Sequence, residues 1–366
     1  MGAGSHLPDR LLEFEHFLDR QALEFRAVKR RFLESLGQEI RMPVHAILGI
    51  TDLLLETDLD VQQREHLLTA RICAQELAEK LQCTLEYGVL AHGNPTLPRR
   101  ETDLVERLES LLLDHSLKAR LNGIDLVSSF DPDMPALVEA PEAAIVQIVG
   151  QLLGNALRHT ATGEVELTGV AQPAENGFVL VRISVRDTGS GMPPETLESI
   201  QACLAPRGRT APPAGLGLTM AARLASLAGG SIEVESVLGC GSRFTLSLPV
   251  RDLPGGGNRW ATGCRGRAVA VLTPNRALGS SIAGLLASFG IRGHAGSLQT
   301  APEPPWAVIA EPGAGLSARE IRGILRTTPA IVTLGWPGDD PLPGSAAFLE
   351  KPVRRYPLHD TLLHLC

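Results

Sequence analysis

Apolar residues recur every seven positions near the start of the chain, at Leu11, Leu18, Phe25 and Phe32, with Phe14 and Val28 three places further on. This is the a/d seam of a coiled coil, weakened at two d positions by Gln21 and Ser35. Such a seam calls for a partner helix; a single amphipathic helix packed on its own domain is the other reading of so short a repeat. Helical spacing continues through "SLGQEIRMPVHAILGITDLL" to Leu55, with Gly37 and Pro43 set into it. "TDLD" then makes a turn whose acids suit the start of a helix, and a second helix is expected from about Gln62 to Leu90. The two helices of this hairpin cannot bury both faces alone, so pairing with a second copy into a dimeric four-helix bundle is the economical arrangement.

The pattern changes after "HGNPTLPR", a linker by composition. From about Glu101 to Val250, a helical run "LVERLESLLLDHSLKARL" mixes with alternating strands "FVLVRISVRD" and "SRFTLSLPV", which predicts an α+β sandwich. The Gly-rich "RDLPGGGNRWATGCRGR" is a second linker. Beyond it the strands "AVAVL", "WAVIA" and "AIVTLG" alternate with helices "SSIAGLLASFG", "AREIRGILR" and "LHDTLLHL", the rhythm of a doubly wound α/β sheet. The predicted organisation is a lead-in helix over 1–30, a hairpin over 31–92, the α+β domain over 93–251, a linker over 252–265 and the α/β domain over 266–366.

Composition narrows the setting. At 366 residues the chain is too long for one core, and 44% hydrophobic with 20% charged residues is ordinary for globular protein. No run of eighteen apolar residues occurs, so no membrane span is expected. "MGAGSH" lacks the apolar core of a signal peptide, which points to a cytoplasmic protein. The six cysteines form no C-x-x-C pair and are expected to be reduced and structural. A net charge of −7 disfavours a chain that coats nucleic acid.

Three motifs carry chemistry. "QLLGNALRHT" sets Gln151, Asn155 and Arg158 on one helix face, where an amide oxygen suits Mg²⁺ and a basic side chain one turn on suits phosphate. "RDTGSGM" follows a strand directly: Gly189 and Gly191 let the backbone turn closely round a ligand, and Asp187 offers a carboxylate to an exocyclic amine such as that of adenine. "AGLGLTMAARLASLAGG" puts Gly215 and Gly217 at a helix start, where backbone N–H groups attract anions. Each motif alone also reads as a solvated face, a turn or a loop. In this order, closed by the strand "GCGSRFTLSLP", they resemble the ATP-binding (Bergerat) domain of histidine kinases, related to the ATPase domains of gyrase and Hsp90-type chaperones. The resemblance implies that Asp187 holds adenine, Asn155 holds Mg²⁺, and Gly215 and Gly217 close on the phosphates of ATP. This chain departs from the pattern at Gln151, often Asn, and at Pro213, often Gly. The segment between the Gly boxes is short and lacks the usual Phe pair, and Arg207 and Arg209 within it are candidates for the γ-phosphate.

The opening hairpin then resembles the phosphoacceptor helix of dimeric histidine kinases, with Gln38 at the position of the acceptor His and Glu39 as the carboxylate that would take its proton. A carboxamide nitrogen is conjugated to its carbonyl and offers no nucleophile. Met42 stands where the family has a Thr or Asn that orients water. His45, two turns on from Gln38, is an alternative acceptor, and a laboratory exchange of a natural His at position 38 is another route to an active enzyme. "FLEKPV" resembles the Lys-Pro of flavodoxin-like receiver domains, here Lys351 and Pro352, with Glu311 at the place of the phosphoacceptor Asp. The acidic pair of that family is replaced by Thr273, Pro274 and Asn275, which implies a pseudo-receiver. The combined expectation is a hybrid histidine-kinase-like protein of two-component signalling: a homodimer that binds ATP and Mg²⁺ and works with a response regulator or other signalling protein. It is expected to be a pseudokinase; the alternative is a working histidine autokinase, a transferase feeding a separate receiver.

Overall fold

The computed structural model describes residues 35, 39–40, 42–90, 96–205, 215–253, 264–298, 304–314, 330–365 and five single positions between 321 and 328. The coiled-coil lead-in, Gln38, Arg207, Arg209 and Pro213 lie outside the described residues. Two compact units emerge, one holding the hairpin helices and Gly215–Met220, the other the rest of the chain from Leu97 onward.

In the hairpin, α1 runs over residues 42–55 and α2 over Val61–Leu90. Asp60 starts α2 by a reciprocal cap: its carboxylate accepts from the Gln63 N–H at 2.8 Å, and its own N–H donates to the Gln63 side-chain oxygen at 3.2 Å. Arg71 meets Asp52 across the hairpin at 2.6 Å, and Val44, Thr51 and Ala74 are buried. Met42, Ile47, Ile50, Leu53, Leu54 and Leu77 stay exposed, Met42 to 73%.

The second unit contains two sheets. The first is built from β1 (Arg100–Thr102), β2 (Ile124–Phe130), β3 (Val138–Ala140), β4 (Gly163–Pro173), β5 (Phe178–Asp187), β6 (Ser231–Val237) and β7 (Gly241–Asp252). Its order is β1-β3-β7-β5-β4-β2, with β6 on the other side of β7. α5 (Glu142–His159) covers it, burying Ile145, Ile148, Val149, Leu152, Leu153, Ala156 and Leu157 at spacings of three and four. Facing them, Val181, Ile183 and Val185 of β5 and Leu246, Leu248 and Val250 of β7 alternate inward. Each fully buried Leu or Ile contributes about 1.5–3 kcal/mol, and this layer fixes the end of β5 and the end of α5.

The helical run "LVERLESLLLDHSLKARL" forms two helices, α3 (Leu104–Asp114) and α4 (Ser116–Leu121), broken at His115. The His115 ring takes the Leu111 carbonyl at 2.9 Å, while its backbone N–H turns to Leu112. A side chain thus satisfies the acceptor that the next helical turn would have used.

The second sheet is parallel throughout: β8 (Ala268–Leu272), β9 (Arg292–Ala295), β10 (Ala307–Ala310), β11 (Ala330–Gly335) and β12 (Ala347–Glu350), in the order β12-β11-β10-β8-β9. α8 (Arg276–Ser288) and the final helix α9 (Arg355–Leu365) bury Leu278, Ile282, Leu285, Leu358 and Leu362 against one face, and Ile321 and Ile324 cover the other. A parallel sheet covered on both faces explains strands that read as unbroken apolar runs. Val127 of β2, from the first sheet, is fully buried in this second core. The Lys351–Pro352 peptide bond is cis.

The cysteine expectation needs correcting. Cys73, Cys203 and Cys240 are free thiols, but Cys264 is disulfide-bonded. Spacing detects only local pairs, whereas the fold sets distant ones. Among the described residues no helix is long and apolar enough to cross a membrane.

Candidate functional site

β5 ends in Asp187, and the chain then turns through Thr188, Gly189, Ser190 and Gly191. The Asp187 Oδ1 accepts two backbone N–H groups, from Gly189 at 2.9 Å and from Ser242 of β7 at 3.2 Å. Its Oδ2 receives no hydrogen bond from a described residue, although Asp187 is only 5% exposed. Burial raises the Asp187 pKa, and the two backbone donors hold the rise in check. A buried carboxylate with one oxygen saturated and the other open is built for a single amino donor.

Three glycines permit this turn: Gly191, at φ +60°, would carry a Cβ 2.0 Å from the Val237 carbonyl oxygen. A Cβ on Gly189 would lie 2.2 Å from the His159 carbonyl oxygen, and one on Gly241, whose φ is +106°, would lie 2.0 Å from the Asp187 carbonyl oxygen. Ser190 N–H donates to that same His159 carbonyl at 3.2 Å, which ties the turn to the end of α5. Thr188 Oγ1 accepts from Glu164 N–H at 3.0 Å, anchoring the other side to the start of β4. Met192 N–H donates to the Ser236 hydroxyl at 2.9 Å. Of these supports, Gly241 and Ser242 are legible after the fact in "GCGS"; Thr188, Ser236 and Glu164 have no sequence signal, because their role depends on strand register.

On α5, Gln151 and Asn155 are half-buried and Arg158 is exposed. The Arg158 guanidinium donates to the Asn155 side-chain oxygen at 3.0 Å, so the two share one face as the spacing predicts. Beyond α6 (Pro194–Leu204), Gly215, at φ +96°, precedes α7 (Leu216–Leu227), which places Gly217 inside the first turn rather than ahead of it. Asp187, Gly189 and Gly191 are thus drawn to the end of α5, while Gly215 and Gly217 fall in the other compact unit.

The second candidate pair also meets. Lys351 is nearly buried after β12, and its ammonium lies 2.5 Å from Glu311 Oε1. A third group was not foreseen: Asp125 of β2 lies 2.8 Å from the same ammonium. Glu39 and His45 are exposed on the hairpin.

Residues 140–252 match the histidine kinase-, DNA gyrase B- and HSP90-like ATPase family, and residues 28–88 match the His Kinase A phospho-acceptor domain. The chain thus carries stretches that match both of these domains. Similar histidine kinases include the sensory/regulatory protein RpfC of Xanthomonas campestris pv. campestris, 31% identical over 63% of this chain and 32% of its own length. The sensor histidine kinase GacS of Pseudomonas protegens is 29% identical over 69% of this chain and 28% of its own. A crystal structure of full-length ShkA in complex with AMPPNP superposes with a TM-score of 0.66 at 26% identity, covering 92% of this chain and 72% of that one. The chain therefore spans about a third or less of the length of these curated histidine kinases.

Proposed function

We propose that this chain is the dimeric, ATP-binding core of a hybrid two-component signalling protein that has lost histidine autophosphorylation and acts on partners through nucleotide-dependent conformation. The observation that carries the nucleotide reading is the buried Asp187 with Oδ1 saturated and Oδ2 open. An adenine amino group would supply the one donor this oxygen lacks, and the match of residues 140–252 to an ATPase family supports this reading. Asn155 would hold Mg²⁺ through its amide oxygen, a hard ligand suited to that ion. Arg158 now occupies that oxygen, but an exposed pair of this kind is marginal and yields at little cost. Gln151 would add to the phosphate side, and the backbone N–H groups at Gly215 and Gly217, at the start of α7, would attract phosphate in their own right.

The bound nucleotide would supply a γ-phosphoryl group; this chain's sequence offers it no acceptor where the family has one. Gln38 presents a non-basic amide, and Glu39 beside it has no imidazole proton to take. At the C-terminal domain, Thr273 and Asn275 replace a metal-binding acidic pair and Glu311 replaces the acceptor Asp, so we read this domain as a pseudo-receiver. Its partners would be a second copy through the hairpin and a response regulator or related signalling protein.

A second reading, a working autokinase, draws on the exposure of His45 on α1. Incubation with Mg²⁺ and γ-labelled ATP separates the two. Calorimetric binding of a non-hydrolysable analogue without acid-labile label on the chain supports the proposal; acid-labile label at His45 supports the autokinase. Absence of any binding heat sinks both.

A further inference from the structure

Asp125 belongs to the nucleotide-type domain, yet both its carboxylate oxygens are used by the C-terminal domain. Oδ1 pairs with the Lys351 ammonium at 2.8 Å and Oδ2 accepts from the Asn275 side-chain amide at 2.9 Å. Glu311 completes the set: Oε1 pairs with Lys351 at 2.5 Å and Oε2 accepts from the Thr273 hydroxyl at 2.6 Å. Asn275 is held by its other end, since its oxygen caps α8 through Leu278 N–H at 2.9 Å. Lys351 is only 3% exposed, and these two carboxylates are its ion-pair partners. A metal-binding receiver pocket places acids around a cation; here the ammonium is the cation and one of the acids comes from another domain.

The same contact has an apolar and a backbone part that do not depend on charge. Val127, two residues along β2, is buried in the C-terminal core. Ser128 donates its hydroxyl to the Val353 carbonyl at 3.2 Å and accepts from Ser281 of α8 on its own carbonyl. Glu109 of α3 accepts the Arg355 N–H at the start of α9, at 3.0 and 3.1 Å. Apart from these, Arg120 of α4 adds an ion pair with Asp339 at 3.0 Å.

We infer that the degenerate receiver pocket is a docking socket whose ligand is a carboxylate of the same chain: Asp125 seats on Lys351 and latches the C-terminal domain to strand β2 of the nucleotide-binding domain. The inference rests on the pseudo-receiver reading of that domain, and it gives the pocket a task in place of phosphoryl transfer. The latch also abuts the nucleotide site. Asp125 is in register with Glu164 of β4, and Glu164 N–H is the group that Thr188, next to Asp187, holds. One strand pairing therefore separates the socket from the adenine-type turn, and reciprocity requires that any effect of latching on nucleotide affinity be matched by an equal effect of nucleotide on latching.

Amide hydrogen exchange on the full chain tests this, with Asp125→Asn, Lys351→Met and the double variant. Each single change is expected to speed exchange at least tenfold in α8 and at Val353–Arg355 while leaving β10 and β11 protected, and the double variant is expected to add nothing beyond either. Unchanged exchange in Asp125→Asn, or single effects that multiply in the double variant, overturns the latch. Loss of protection in β10 and β11 also overturns it, since the network would then be part of the C-terminal core and not a separable contact. Calorimetry of the wild type with a non-hydrolysable ATP analogue is read alongside: its failure refutes the nucleotide reading and leaves the exchange result standing on its own.

Discussion

At the scale of single residues, Asp187 shows how a fold makes a weak motif specific. "DTGSG" is by itself compatible with an ordinary turn; what distinguishes it is a buried carboxylate with two backbone donors on one oxygen and none on the other. Replacing Asp187 with Asn keeps an acceptor for Gly189 and Ser242 but turns an amide NH₂ toward the place of an incoming amino donor. The expected outcome is a roughly tenfold to hundredfold loss of ATP affinity by calorimetry, the equivalent of about 1–3 kcal/mol for an unmatched polar group. Thermal stability should hold or rise slightly, because burial already raises the Asp187 pKa and a neutral side chain removes that cost. Equal affinity in both proteins would remove Asp187 from the site. The carboxylate itself was legible in the sequence; its donors were not, since Ser242 lies fifty-five residues away and only the β5–β7 register brings it in.

At the scale of elements, α3 carries a buried acid that the apolar pattern gave no reason to notice. Glu109 sits in a row of leucines, and burial raises its pKa from 4.5 to about 7. The Arg355 N–H and the charges of Arg355 and Arg354 oppose that rise, while Asp103 adds to it; Glu106, Tyr356 and Asp360 line the adjoining cavity. The sign follows from proton binding. Between about pH 4.5 and 7 the folded chain keeps a proton that the unfolded chain has lost, so stability from this group is complete at low pH and declines as pH rises through 7. The shift corresponds to a loss on the order of 3 kcal/mol. Urea unfolding of wild type and Glu109→Gln at pH 5, 6 and 7.5 checks it: the difference between the two should shift steadily in favour of the Gln variant as pH rises. Parallel curves would mean that Glu109 stays ionised throughout. The elements themselves were mostly readable, because α5, β5, β8, β10 and β11 have clear periods of 3.6, of 2, or unbroken apolar runs, whereas β9, with the sequence RGHA, and β12 gave no such pattern. α3 and α4 were not separable, since the break comes from a side-chain hydrogen bond and not from a change of pattern.

At the scale of the whole molecule, two questions turn on surfaces and on a single missing atom type. Met42, Ile47, Ile50, Leu53 and Leu77 leave an apolar face on the hairpin, and a second copy would cover it. Leu53→Glu combined with Ile50→Glu should therefore convert a dimer to a monomer in light scattering, without altering the second compact unit's far-ultraviolet signature; an unchanged mass would place the dimer contact elsewhere. The layered domains were legible from period and motif order, whereas the Asp125–Lys351 contact was not, because it joins residues 226 positions apart through two independent folds.

The acceptor position separates loss of one group from loss of the whole reaction. If Gln38 is the sole defect, the nucleotide-binding domain and Glu39 remain competent, and Gln38→His restores the imidazole lone pair that the chemistry needs. The expected outcome is acid-labile, base-stable label from γ-labelled ATP on Gln38→His, reduced again by Asp187→Asn at limiting ATP and absent from the unaltered chain. No label on Gln38→His, with nucleotide binding intact, would mean that the departures at Gln151 and between the Gly boxes have removed phosphoryl transfer independently of position 38.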